Sequence, residues 1–188
     1  MELRQRRFFE KRRYELLDDS VKMTFKNTKA EFDDYFNYEN ITIRTRNQKF
    51  RHPLFLYGTI IAGIIVFYNI YNYFLREGVL SAVTIWTVIA IVLVVLYWLT
   101  IRNYLIIDLD DGKFINFLKD NPNKIEFDEF IEVLYNTRNK MLYDRYCHID
   151  MNNDKQMEIT KFSWLLREKV ITKETYDLIL EELEEGYS

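Results

Sequence analysis

The sequence predicts a membrane α+β protein: a two-helix transmembrane hairpin inserted in a small antiparallel β domain that is capped by a helix, followed by a C-terminal helical hairpin. Three observations predict it. Residues 54–101 form two long apolar runs split only by Arg76-Glu77-Gly78. Much of the chain on either side alternates apolar and polar residues with a period of two, the mark of half-buried strands. Beyond Leu118 the apolar period lengthens to that of a helix and stays there.

The two runs, 54–75 and 79–101, each have about the 20 residues needed to span a hydrocarbon core as helix. Neither contains Asp, Glu, Lys, Arg or His. So short a connection makes them antiparallel neighbours with both termini on one side. Arg44, Arg46, Lys49 and Arg51 precede the first run and Arg102 follows the second, against Arg76 alone at the tip. Lys and Arg are retained on the cytoplasmic side, so the prediction is a multi-pass protein of the bacterial inner membrane with cytoplasmic N- and C-termini. Burial of both runs inside a soluble core is disfavoured, because 188 residues leave too little polar chain to cover them. A first run that begins at Leu54 behind a charged segment does not fit a cleaved signal peptide.

Composition divides the polar parts by charge. Residues 1–52 carry 13 Lys/Arg against 9 Asp/Glu, a net of +4, while residues 102–188 carry 12 against 19, a net of −7. The opening segment, 1–13, is dense in Arg and Lys around Phe8-Phe9. It reads as a solvated basic lead-in, with contact to anionic lipid as the functional alternative. Residues 14–52 then give four strands: one near Tyr14 to Leu17, one through Val21, Met23 and Phe25, one from Ala30 to Phe36, and one through Ile41, Ile43 and Thr45. Asp18-Asp19-Ser20 and Asn27-Thr28-Lys29 supply turns between them. Pro53 suits the first turn of a helix, where its missing N–H costs nothing.

Residues 103–146 add two strands and a helix. Leu105, Ile107 and Leu109 alternate, Asp110-Asp111-Gly112 is hairpin-turn chemistry, and Lys113 to Leu118 returns. Phe127, Phe130, Ile131, Leu134, Arg138 and Met141 fall at helical spacing, with Asn123 and Glu126 placed as a capping pair. Four strands before the membrane hairpin and two after it make a single antiparallel sheet closed by this helix. The order YELLDD, SVKMTFKN, AEFDDYFNYENITI, YLIIDLDDGKFINF and a terminal helix resembles the bacterial pleckstrin-homology-like membrane proteins over residues 12–145. That resemblance implies a small sheet capped by a C-terminal helix and tied to membrane helices. With six strands counted, the chain is one short of the usual seven.

Residues 150–188 read as a separate helical unit. Tyr176, Ile179, Leu180 and Leu183 share one helix face, with Thr172 at its N-cap. The segment FSWLLREKVITKETYDLILEELEE resembles the SHOCT family of short C-terminal helical hairpins, matching at Ile171, Thr172, Glu174 and Tyr176. Lys169 stands where that family commonly has Gly. The resemblance implies oligomerisation or partner contacts and no catalytic residue, with Trp164, Tyr176 and Leu183 as the interaction residues. The alternative is that the pair docks on its own protein.

No catalytic, cofactor or metal set emerges. Asp150, Asn152 and Asp154 have calcium-loop spacing, but Lys155 replaces the Gly at the sixth place and Lys161 the bidentate Glu at the twelfth, which argues against binding. Asp154 instead reads as a helix cap. Cys147 and His148 are adjacent and diverge on a helix, and two His with one Cys make no zinc set. Asn69 and Asn72 are the intramembrane polar residues; three apart, they share a face that reaches either a neighbouring helix or the outer headgroup layer. The function expected is non-enzymatic: an integral inner-membrane protein presenting a cytoplasmic module and a helical tail for protein assembly or regulation. The partners are the lipid bilayer and another protein or a second copy, with no nucleic acid or small-molecule substrate. The alternative is a homo-oligomeric pore or membrane-disrupting effector, lined by Thr59, Asn69, Asn72 and Thr84.

Overall fold

The computed structural model describes residues 1–7, 10–76 and 79–186. Phe8 and Phe9, the aromatic pair of the basic segment, lie outside them, as do Glu77 and Gly78 of the hairpin tip. The chain is α+β and divides into two units, residues 1–46 with 105–188, and residues 47–104.

The first unit opens with β1 (Glu2–Arg7), β2 (Glu10–Leu16), β3 (Ser20–Lys26) and β4 (Glu31–Asn37), which pair antiparallel in sequence order. A single 3₁₀ turn, Tyr38–Asn40, leads to β5 (Ile41–Phe50). After the two apolar helices come β6 (Arg102–Leu109), whose first residues still belong to the second unit, and β7 (Phe114–Leu118), and the second sheet has the order β5-β6-β7. The Asp110 N–H bonds the Asn40 carbonyl at 2.9 Å and the Thr42 hydroxyl bonds the Asp108 carbonyl at 2.8 Å, so β5 and β6 run in opposite directions. Strands before and after the apolar hairpin are therefore hydrogen-bonded neighbours. Gly112, at φ 80°, turns β6 into β7 in the left-handed conformation that glycine adopts without steric cost.

Two expectations about the sheet are corrected. Residues 2–7 and 10–13 are not a solvated lead-in but β1 and the start of β2, which raises the strand count among the described residues from six to seven. The single sheet is two sheets, of four and three strands. The first miss has a physical cause: the inward positions of β1 and β2 are Leu3, Gln5, Arg12 and Tyr14, all buried, and two of them are polar. Hydrophobic periodicity cannot register a strand whose inner face is half polar. The Gln5 side chain is accommodated because it pairs as backbone does, donating to the Leu118 carbonyl at 2.7 Å and accepting from the Leu118 N–H at 2.8 Å. The Tyr14 hydroxyl donates to the Asn116 carbonyl at 2.6 Å. Both contacts tie the four-stranded sheet to β7.

Helix α3 (Lys124–Tyr146) closes this core. Asn123 caps it, accepting from the Glu126 N–H at 2.9 Å while its amide reaches the Glu126 carboxylate, as the spacing predicts. Phe127, Phe130 and Leu134 pack against Tyr14, Ile107, Ile115 and Phe117. Tyr14 and Phe117 stack tilted at 4.4 Å, and Phe130 lies 6.1 Å from Phe117. The distal half of α3 carries α4 (Lys155–Arg167) and α5 (Lys173–Gly186) through a second core of Leu142, Phe162, Leu165, Ile171 and Leu183. The described residues of the tail, 150–186, are thus not a separate unit: α3 outruns the sheet and its remaining apolar surface is what they cover.

The second unit is α1 (Pro53–Leu75) and α2 (Leu80–Thr100), with Pro53 in the first turn. Both helices are long and apolar enough to cross a membrane. Gly58 faces Leu93, and Gly63 and Val66 share a groove with Thr87 and Ala90, so the pair is antiparallel. Only 6% of the apolar window of α1 and none of that of α2 is buried, and Phe67, Phe74 and Trp98 are more than 70% exposed. Within this fold the two helices are not the core of anything.

Candidate functional site

The most constrained polar site joins α3, the α4–α5 turn and the outer edge of β5. Arg138 sits on the apolar stripe of α3 and is 1% exposed. Its Nε donates to the Ile41 carbonyl at 2.5 Å, and its Nη2 donates to a Glu168 carboxylate oxygen at 2.7 Å. Nη1 reaches Asn139 Oδ1 at 2.9 Å and the Glu168 carbonyl at 3.3 Å. The same Glu168 oxygen accepts the Ile43 N–H at 3.3 Å. Burial pushes the Arg138 guanidinium below its ordinary pKa, and the facing Glu168 carboxylate opposes that. Arg and Glu side chains here do for the first residues of β5 what a further strand would do, supplying a donor and an acceptor to its open edge.

The turn that presents Glu168 is a Schellman motif. The Val170 N–H bonds the Leu165 carbonyl at 2.9 Å and the Lys169 N–H bonds the Leu166 carbonyl at 3.0 Å. Lys169 adopts φ 56°, the left-handed conformation at the C′ position of the motif that glycine adopts without steric cost. Thr172 accepts the Thr175 N–H at 3.3 Å and begins α5 as predicted.

The predicted interaction residues divide. Trp164 is partly buried and packs edge-on against Tyr146, ring centroids 5.6 Å apart. Tyr176 is also partly buried, its hydroxyl 2.9 Å from Ser163 Oγ. Leu183 is 0% exposed in the core shared with α3, so it serves this chain's own packing and presents nothing to a partner. The leucine faces its own protein because the distal half of α3 needs cover, a demand that the tail's sequence alone does not display.

The calcium-spaced loop is organised around a carboxylate and an ammonium. Glu158, 1% exposed, accepts the Asp150 N–H at 3.2 Å, the Asn153 amide at 2.8 Å and the Lys161 Nζ at 2.6 Å. Lys161 also donates to the His148 carbonyl at 2.6 Å. Burial raises the Glu158 pKa, but Lys161, Asn153 and the Asp150 N–H outweigh it and leave the group below its ordinary value. The Asp150 carboxylate is occupied by the Asn152 N–H and amide at 3.0 and 2.9 Å. Asp154 stands at the N-cap of α4 without a side-chain capping bond, contrary to its expected capping role; the α4 N-terminus is held through the Asp154 carbonyl. Among the described residues no three His, Cys, Asp or Glu side chains gather to hold a metal.

Polar groups in the apolar helices bond their own helix. Asn69 donates to the Ile65 carbonyl at 2.8 Å, Thr59 to Phe55 at 2.8 Å and Thr84 to Leu80 at 2.9 Å. Asn72 is partly exposed three residues on, and its carbonyl accepts the Arg76 N–H at 2.9 Å. No protein-family model, curated protein or solved structure matches the chain. The site is therefore defined by its own geometry, a buried clamp that joins α3 and the α4–α5 turn to the edge of β5. Sequence reasoning missed the Arg138–Glu168 clamp, although a cation in the middle of an apolar helical stripe was its visible signal.

Proposed function

We propose that the chain is a two-span inner-membrane protein whose polar segments fold together in the cytoplasm into a pleckstrin-homology-like domain with a helical tail, and that it acts in protein assembly or regulation at the membrane without catalysing a reaction. The single observation that carries this is the pair of long apolar helices, bare of cover, inserted between two hydrogen-bonded strands. A pair that returns to its starting side is what allows β5 and β6 to meet. The arrangement of four strands and three, with α3 packed on their shared core, supports the pleckstrin-homology-like reading. The helical turn at Lys169 and the cap at Thr172 support the SHOCT-like one. The excess of Lys and Arg at residues 44–51 and at Arg102 supports cytoplasmic termini. The self-satisfied Asn69, Thr59 and Thr84 weigh against a pore lined by these groups.

Topology is the test. In a Cys147→Ser background, single cysteines replacing Asn27, Glu77 and Glu174 are exposed to a membrane-impermeant maleimide in intact spheroplasts. Labelling at 77 alone is expected. Labelling at 27 or 174 without permeabilisation, or release of the protein by alkaline carbonate, overturns the reading.

A further inference from the structure

The face of the four-stranded sheet turned away from the core carries an unusual charge arrangement. Alternation places Arg4 and Arg6 of β1, Lys11 and Arg13 of β2 and Lys26 of β3 on that face, all exposed. Register sets Arg4 opposite Arg13, and Arg6 opposite Lys11, which in turn stands opposite Lys26. Like charges directly opposed on neighbouring strands destabilise a sheet. Glu2 pairs with Arg4 and Arg13, Glu15 with Arg13, and Glu31 with Lys26. Among the described residues, the side chains of Arg6 and Lys11 form no ion pair. A hollow over these rungs is lined by Arg4, Arg6, Lys11, Arg13 and Lys26, with Glu31 its one acid.

The opposite charge stands on α5. Glu174, Leu178, Glu181 and Glu185 fall at i, i+4, i+7 and i+11, one stripe of the helix, with Asp177 beside it. All are exposed, Leu178 at 65%, and among the described residues none of the four acids has an ion pair. The stripe lies on the side of α5 opposite Leu183, which is buried in the core shared with α3. Dimensions agree as well. Three adjacent strands span about 10 Å across, and Glu174 to Glu181 rises about 10 Å along a helix.

We infer that the acidic stripe of α5 in one copy docks on the basic sheet face of a second copy, so that the chain self-associates head to tail. This deepens the assembly role proposed above and rests on it. Such a contact is heterologous, each copy offering both halves, and closes into a ring or continues as an array in the membrane plane. Its charge pairs lie near solvent, so association weakens as salt shortens the screening length from about 14 Å at 50 mM to about 4 Å at 500 mM.

The experiment is a charge swap on the full chain in neutral detergent, read as protein mass by light scattering with detergent subtracted. Wild type is expected as a multimer at 50 mM NaCl and a monomer at 500 mM. Arg6→Glu/Lys11→Glu and Glu181→Lys/Glu185→Lys, each folded by circular dichroism, are expected to be monomeric alone and to associate when mixed. The mixture pairs an intact acidic helix with an intact basic sheet, and a reversed sheet with a reversed helix. Wild type monomeric at low salt, either double variant associating by itself like wild type, or a mixture that stays monomeric overturns the inference. Wild type that is monomeric in detergent yet binds vesicles containing phosphatidylglycerol also overturns it, making the basic face a lipid contact. Carbonate extraction is read separately: release without detergent sinks the two-span reading, whereas retention together with a monomeric wild type sinks only this one.

Discussion

Replacing Glu168 by Ala tests whether the clamp on β5 holds the helical tail to the sheet. The substitution removes the carboxylate 2.7 Å from Arg138 Nη2 and the acceptor of the Ile43 N–H, and leaves a guanidinium that is 1% exposed. Arg138 keeps the Ile41 carbonyl and Asn139, but the charge that balanced its burial is gone. Breaking a buried pair by deleting one partner costs about 3–5 kcal/mol, whereas replacing both partners with packed apolar side chains is often neutral. For a chain of this size about 3 kcal/mol corresponds to a drop of roughly 10 °C in Tm. The assay is the tryptophan-fluorescence midpoint of the detergent-solubilised protein, in which Trp164 lies against Tyr146 beside the affected turn. All variants are scanned at one rate, because irreversible unfolding makes the midpoint depend on scan rate. Arg138→Met/Glu168→Leu is expected to recover part of the loss, because it removes the stranded charge while still depriving the Ile41 carbonyl and the Ile43 N–H of these partners, and raising the salt concentration is expected to leave the Glu168→Ala deficit unchanged. A Glu168→Ala midpoint within about 2 °C of wild type, or a double variant no better than the single one, refutes the argument that an uncompensated buried charge sets the cost.

Two further outcomes follow from the tail. Lys169→Gly is expected to raise stability by about 1 kcal/mol, because a left-handed backbone costs a residue with a Cβ that much and glycine nothing; a neutral or lower midpoint refutes it. The carboxyls of Glu39 and Glu158 lie below the ordinary 4.5 when folded, Glu39 through the Tyr146 hydroxyl and the Arg145 guanidinium, Glu158 through Lys161 against the pull of burial. Groups with depressed folded pKa values contribute stability that is fully present above the unfolded value and is lost as pH falls through the folded one. The midpoint is therefore expected to hold from pH 7 to about pH 4.5 and to fall below it, with Glu158→Gln showing a lower plateau and a shallower acid limb. A Glu158→Gln profile parallel to wild type below pH 4.5 refutes the assignment.

What the sequence determined by itself was whatever depends on local pattern. The bounds of the apolar helices, the capping pair Asn123–Glu126, the turn at Gly112 and the cap at Thr172 were all legible, because hydrophobic period, chain length and a few short-range hydrogen bonds decide them. Tertiary structure decided the rest. Gln5 and Arg12 face inward only because β7 offers the Leu118 and Asn116 backbone to receive them, so the first strand was invisible as pattern. Arg138 and Glu168 lie 30 residues apart and have meaning only once the Schellman turn brings one over the other. Leu183 was legible as apolar, but whether it faces a partner or its own protein depended on how much of α3 the sheet left uncovered. The charges of residues 1–52 and 102–188 could be counted from the chain; their alignment into opposing rungs and a single helical stripe follows from strand register and helix placement.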